Sequence, residues 1–245
     1  MAQNRSPMIT CRNAILFIRG LLFDLLCHGR FKADGCVFEV PKTLTSRFLR
    51  GCCFENTYEI NERTAVQKFI RPEDSVIELG ACLGIVSCTT NKRLRDPTQH
   101  LAVEANPQCI PALRKNRDLN DCAFQIENCA VGNEKQATLF LDPAMILWAT
   151  TKNRSAFPVT VTGRSLADLY RQHGPFSTLI MDIQGSELDV LESATELLPR
   201  FRLVVAELHP WIIGTEGVNR CRTILQQSGF TLGERIHHNE VWLRT

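Results

Sequence analysis

Nothing among the 245 residues amounts to the run of about 20 apolar residues that a bilayer-spanning helix needs. The nearest approach, residues 14–27, is broken by Arg19 and Asp24 and is followed by no small-residue cleavage site. Neither a span nor a signal peptide is therefore expected. A C-x-x-C pair is also missing. The eleven cysteines are an odd number, and Cys82, Cys88, Cys129 and Cys221 fall inside apolar runs. Reduced, buried thiols in a cytoplasmic protein are the expectation, with no zinc and no disulfides. No basic patch with interleaved aromatics occurs, and a net charge of +2 gives no general reason to expect nucleic acid. Repeats, linkers and low-complexity tracts are absent, while 44% hydrophobic residues suffice for a sizeable core.

One further absence is more specific. The apolar run Ser75 to Leu79 reads as a buried strand, Gly80 ends it, and Gly84 opens a helix over Ile85 to Leu94. A dinucleotide fingerprint would need glycine at position 82, where Cys82 stands, and Glu78 would repel a pyrophosphate. No Gly-Lys-Ser/Thr follows Gly84, which excludes a Walker A loop. What remains, acidic-x-Gly-x-x-x-Gly, suits a ligand with a ribose and a cationic amino-acid end but no phosphate, namely S-adenosylmethionine. Glu104 ends the next apolar run, at the position from which a carboxylate can hold ribose hydroxyls.

Strand and helix patterns alternate along the chain, which predicts a mostly parallel sheet. A helix with Ala65, Val66, Phe69 and Ile70 on one face precedes the first strand, and its start at Tyr58-Glu59 falls near the ligand end. Asn106-Pro107 reads as a helix start. Phe124 to Val131 reads as the third strand, Ala137 to Leu141 as a second extended run, and Thr178 to Asp182 as the fourth. Ser165 to Asp168 is a capping box, closed by Gly174-Pro175. A helix over Ser186 to Leu198, a fifth strand over Leu203 to Ala206, and a helix over Val218 to Ser228 follow. The chain ends in two extended runs joined by His237 to Glu240, an antiparallel hairpin.

Residues 1–53 carry an excess of positive charge: residues 1–50 have a net +5, leaving −3 for the rest. They read as an extension built from an amphipathic helix and a strand or hairpin over Cys36 to Val40. Its expected role is a cap or a dimer contact, with membrane-surface docking the weaker alternative. The second unit is residues 54–245.

Four segments, Phe54–Glu62, Val76–Gly84, Leu101–Pro107 and Met181–Leu188, with Glu207-Leu208-His209-Pro210 as a fifth, resemble the FkbM-type family of S-adenosylmethionine-dependent methyltransferases. The Asp-Ile-Gln-Gly-Ser-Glu stretch is the most specific. The resemblance implies a Rossmann-like class I methyltransferase fold with seven strands, and a hydroxyl acceptor on a glycan or a secondary metabolite. This sequence has Gln184 where the family typically has Glu, and Ile180 where it often has Lys.

The cofactor residues expected on these grounds are Glu59, Glu78, Gly80, Ala81, Gly84, Ile85, Glu104, Ala105, Asn106, Asn128, Ala130 and Asp182. Gly80 and Gly84 would let the backbone approach the methionine end, Glu78 would act on its ammonium, Glu104 would hold the ribose, and Asn128 or Ala130 would border adenine. Asp182, Glu207 and His209 end successive strands and should converge on the acceptor, with His209 the expected base. A buried structural histidine, or a divalent cation on Asp182 and Glu207, are the competing readings there. For the whole protein the competing readings are a nucleic-acid methyltransferase and a non-catalytic cofactor-binding scaffold.

Overall fold

The computed structural model describes residues 7–142, 145–150 and 157–244. Its centre is a seven-stranded sheet of β3 (Val76–Leu79), β4 (His100–Glu104), β5 (Gln125–Asn128), β10 (Thr178–Met181), β11 (Leu203–Glu207), β12 (Phe230–Ile236) and β13 (Asn239–Arg244). The spatial order is β12-β13-β11-β10-β3-β4-β5, and β13 alone runs antiparallel to its neighbours. The order reverses between β3 and β10, so the carboxyl ends of the central strands open into a crevice there. This is the Rossmann-like class I architecture, and it carries the expected C-terminal hairpin. The central strands are buried along their whole length and read as short, mostly apolar runs because helices cover both faces.

Several boundaries differ from the sequence reading. The stretch 124–131 divides: β5 is the edge of the large sheet, and Cys129, buried in the main core, turns the chain away so that β6 (Ala130–Val131) pairs with β9 (Phe157–Arg164). With β7 (Gln136–Asp142) and β8 (Met145–Thr150), these form a second, four-stranded sheet in the order β6-β9-β7-β8, which the sequence reading did not contain. The helix expected at Asn106 begins only at Ile110, as α5 (Ile110–Leu119), because the Asn106 side chain accepts the Gln108 N–H at 3.0 Å and holds a turn. The helix expected over 186–198 is shorter, α7 (Glu187–Ser193). The last helix is longer, α8 (Pro210–Gln227), kinked at Gly214 and begun by Pro210 in its first turn. Asn239 and Glu240 lie in β13 rather than in the final turn. Both are buried, with Asn239 donating to Glu62 and Glu240 accepting from Arg222 and Arg235.

The N-terminal segment forms α1 (Pro7–Leu22), a π-helical turn (Phe23–Cys27), a hairpin of β1 (Arg30–Ala33) and β2 (Cys36–Glu39), and α2 (Arg47–Phe54), an unexpected helix whose last turn contains the anticipated boundary at 53/54. α1 and α2 cross backbone to backbone. A Cβ on Gly20 would lie 2.1 Å from the Arg47 carbonyl oxygen, and one on Gly51 would lie 2.0 Å from that of Leu16. Phe23, Phe31 and Phe38 join Leu83, Ile85, Leu113 and Phe124 in one buried cluster, so the hairpin packs into the same core as the helix that follows the glycine turn. None of the described helices is long and apolar enough to cross a membrane.

Two asparagines, Asn116 in α5 and Asn120 at its C-terminal cap, hold the free edge of this hairpin. Asn116 accepts the Glu39 N–H at 2.7 Å and donates to the Glu39 and Leu83 carbonyls at 3.1 and 2.8 Å; Asn120 makes the same paired contact with Val37, 2.8 Å each way. Spaced by four on one helical face, the two amides stand in for a strand's alternating donors and acceptors. Asn116→Ala strands three backbone groups at once and is expected to destabilise the protein by at least ~2 kcal/mol, read as a lower urea midpoint at constant m. A change below ~0.5 kcal/mol would show that the clasp contributes little.

Candidate functional site

The site forms where β3, β4, β10 and β11 end. Gly80 leaves β3 at φ +91°, and a Cβ there would sit 1.8 Å from the Asp182 carbonyl oxygen, so only glycine lets the first strand's exit lie against the end of β10. Gly84 has another task. Its φ is +82° and its missing Cβ would meet Leu113 at 2.7 Å, so it faces the core between α4 (Ile85–Asn91) and α5. Ile85 is likewise fully buried. Of the predicted glycine-turn residues, Gly80 borders the main cavity, whereas Ala81 borders only a smaller one beside it.

The main cavity measures about 430 Å³, within the range of small-molecule sites. It brings together the predicted Glu59, Gly80, Glu104, Ala105, Ala130, Asp182, Glu207 and His209. Asn106 is buried behind it, donating its N–H to Glu104 at 2.6 Å, and the exposed Asn128 donates to the carbonyls of Glu104 and Ala105 at 2.7 and 3.2 Å. Glu78 is placed elsewhere: its carboxylate stands 3.1 Å from His100 Nε2 and lines only the smaller cavity, of about 10 Å³, beneath the main one.

Five carboxylates, from Glu59, Glu62, Glu104, Asp182 and Glu207, line the main cavity, and no lysine or arginine does among the described residues. The crowding is visible in their acidities. Burial, then the charge of Glu62, pushes Glu59 well above the carboxylate range. Burial also raises Glu104, although its oxygens accept the N–H groups of Asn106 and Cys82, the latter at 2.7 Å. Asp182 is pushed up to about 7, by burial first and then by Glu62 and Glu187 against the opposing His209. Glu207 is pushed up to about 8 by burial, Asp182 and Glu62.

His209, 1% exposed, sits at the centre of this group. One ring nitrogen, Nδ1, lies 2.8 Å from Glu187 Oε1; the other, Nε2, lies 3.4 Å from Asp182 Oδ1 and 3.8 Å from Glu207 Oε2. Burial disfavours its charge, but the Glu187 hydrogen bond and the three surrounding carboxylates outweigh burial and raise its pKa. Gln184 donates to Asp182 Oδ1 at 2.9 Å, a donation that a carboxylate at this position would not make.

Sequence reasoning missed Glu187 and Glu62, and also Trp211, which borders the cavity edge-on to His209 at 5.0 Å and is 61% exposed. A signal was present for the first, since Glu187 closes the Asp-Ile-Gln-Gly-Ser-Glu stretch. Strain marks the same place: Glu59, Cys82 and Gln184, all at the cavity wall, hold left-handed φ of 51°, 50° and 49°. Non-glycine residues adopt that conformation at a cost of order ~1 kcal/mol each, and such positions gather at functional sites.

The methyltransferase FkbM domain model matches residues 78–232. No curated protein matches the sequence significantly. Among solved structures, the chain is similar to the precorrin-6y C5,15-methyltransferase of Geobacter metallireducens, at 10% identity and TM-score 0.50 over 85% of this chain and 94% of that one. A methyltransferase of Pyrococcus furiosus gives 11% identity and TM-score 0.49 over 96% and 98%. The tRNA (uracil-54, C5)-methyltransferase of Pyrococcus abyssi, solved with S-adenosyl-L-homocysteine, gives 14% and 0.48 over 87% and 43%. The likeness to the Geobacter structure bears on the fold alone.

Because Gly84 faces Leu113, its replacement tests the fold and not ligand contact. Gly84→Ala is expected to cost ~1–3 kcal/mol in thermal unfolding, from left-handed strain plus overpacking. Unchanged stability would mean that the α4–α5 contact has slack.

Proposed function

This chain belongs to the methyltransferase FkbM family, and from that premise we propose that it is an S-adenosylmethionine-dependent O-methyltransferase acting on a hydroxyl of a glycan or secondary metabolite. The observation that carries the reading is the cavity's charge. Five carboxylates, with no lysine or arginine beside them among the described lining residues, favour a ligand bearing a sulfonium and an ammonium and disfavour pyrophosphates and phosphodiesters. The same charge opposes a nucleic-acid acceptor, whose backbone is ordinarily met by lysine and arginine.

In this reading the methionine end lies against Gly80 and Glu59. Each oxygen of Glu104, already accepting one backbone N–H, has capacity for a further donor from the ribose. Ala105 and Ala130 border adenine, and Asn128 acts indirectly by fastening the loop after β4. Methyl transfer is an in-line displacement in which the sulfonium leaves as a neutral thioether, so alignment provides much of the acceleration. An alcohol must also lose its proton. Asp182, Glu207 and His209 adjoin the place where the acceptor oxygen would lie, and Trp211 offers an exposed aromatic surface at the mouth to an uncharged ring.

Calorimetry tests the cofactor assignment. S-adenosylmethionine should bind, NAD should not, and sinefungin, with an ammonium in place of the sulfonium, should bind more tightly than the neutral-sulfur product S-adenosylhomocysteine. NAD binding, or a clear preference for the product, would defeat it. His209→Ala should lower kcat by ~10²–10⁴ with cofactor affinity unchanged; near-normal turnover would remove His209 from the reaction.

A further inference from the structure

Asp182, Glu207 and His209 present one ligand atom each within 4.8 Å of one another at the cavity wall. We propose that these three side chains bind a divalent cation of the manganese–magnesium class, and that the acceptor oxygen completes its coordination. The proposal rests on the reading of this cavity as the methyl-transfer site and goes beyond it by naming what activates the hydroxyl.

The tautomer of His209 provides the first argument. Glu187 Oε1 already accepts the Gly185 N–H at 3.0 Å and stands 2.8 Å from His209 Nδ1, so it accepts the ring N–H as well. A neutral imidazole held this way turns the bare lone pair of Nε2 toward Asp182 and Glu207 at 3.4 and 3.8 Å. Three electron-rich atoms facing one another call for a cation between them. Neighbouring ligands on an ion with bonds of ~2.1 Å stand about 3.0–3.4 Å apart, so the Asp182 contact already matches, while the Glu207 oxygen, like the rest of a group that spans up to 4.8 Å, has to draw inward when the ion binds. A carboxylate behind the far nitrogen is also the usual second contact of a metal-bound histidine, fixing its orientation and raising its basicity.

A second observation is independent of the triad. Asn239, 3% exposed, borders the small cavity that Asp182 and Glu207 also line, and its Oδ1 is buried without a hydrogen-bond partner. An unsatisfied amide oxygen beside two ligand carboxylates is what the margin of a cation site provides. Mixed imidazole and carboxylate donors favour manganese over magnesium when both are present, because imidazole suits the transition ion.

With the ion in place the reaction balances without a further reagent. The metal-bound acceptor O–H breaks and its proton passes to solvent at the cavity mouth. The oxygen's electron pair then forms the new O–CH₃ bond as the S–CH₃ bond breaks, its electrons remaining on sulfur.

The test uses the full chain and Mn²⁺ alone, without cofactor or acceptor. Loss of the free-ion electron paramagnetic resonance signal should saturate at one Mn²⁺ per chain. Asp182→Asn, Glu207→Gln and His209→Ala should each weaken binding at least ~10-fold, and Glu187→Gln by ~10–100-fold through the orientation of the ring. Asp118→Asn, an exposed carboxylate on α5, should change nothing. No saturable binding, or binding indifferent to the triad variants, would overturn the proposal and leave a protonated His209 as the cation of the cluster. If a triad variant fails to fold, Glu187→Gln decides, since it removes only the charge of a residue outside the proposed coordination. S-adenosylmethionine calorimetry on the same preparation separates a failure of this proposal from a failure of the cofactor assignment.

Discussion

Like charges gathered where solvent is scarce repel strongly, because the effective dielectric that weakens them in water is lost. The carboxyl ends of β4, β10 and β11 deliver Glu104, Asp182 and Glu207 to one opening, the loop before α3 (Ile60–Phe69) adds Glu59, and the first turn of α3 adds Glu62. Such a group persists in a folded protein only if compensated by protonation, by hydrogen-bond donors or by a cation. The first two devices are visible. Acidities are raised, backbone N–H groups of Cys82 and Asn106 cap Glu104, and the Gln184 amide and His209 ring meet Asp182. A methyltransferase whose cofactor arrives positively charged and leaves with neutral sulfur gains from that arrangement, since the repulsion is relieved most by the reactive form.

The backbone around the opening is arranged to tolerate this crowding. Gly80 lies against Asp182 with no room for a side chain, and Glu59, Cys82 and Gln184 are held left-handed around the same wall. Residues in that conformation stay there only where the surroundings over-determine them. Here the hairpin, α2 and the asparagine clasp provide the surroundings on one side. The second sheet, through β6, provides them on another.

Much of this was legible in the sequence, and for physical reasons. Buried parallel strands are short apolar runs, so β3, β4, β10 and β11 and the carboxylates that end them could be placed directly. Gly80 and Glu104 followed from spacing. What could not be read depended on contacts made across the fold. Glu78 stands near the end of an apolar run as the other carboxylates do, but its side chain turns back to His100, a residue the strand pattern does not single out. Gly84 looks like a ligand glycine, yet it makes room for Leu113 on a helix nearly 30 positions away. Asn239 and Glu240 have turn composition but lie buried in a strand, where Glu62 of α3 accepts from the Asn239 amide and Arg222 of α8 and Arg235 of the neighbouring β12 pair with the Glu240 carboxylate. The second sheet escaped notice because its strands alternate weakly and β6 is two residues long.

The packing of the hairpin has a consequence for biosynthesis. Phe23, Phe31 and Phe38 leave the ribosome before every one of their principal partners, Leu83, Ile85, Leu113 and Phe124, and before the two asparagines that clasp β2. At ~5–20 residues per second, the interval between Phe38 and Phe124 is several seconds during which three aromatic rings have no native core to enter. The hairpin is thus made before the elements it packs on and is among the last able to dock. Ribosome-associated chaperones would meet this chain chiefly through those rings, and slowing translation between them and α5 would prolong that encounter.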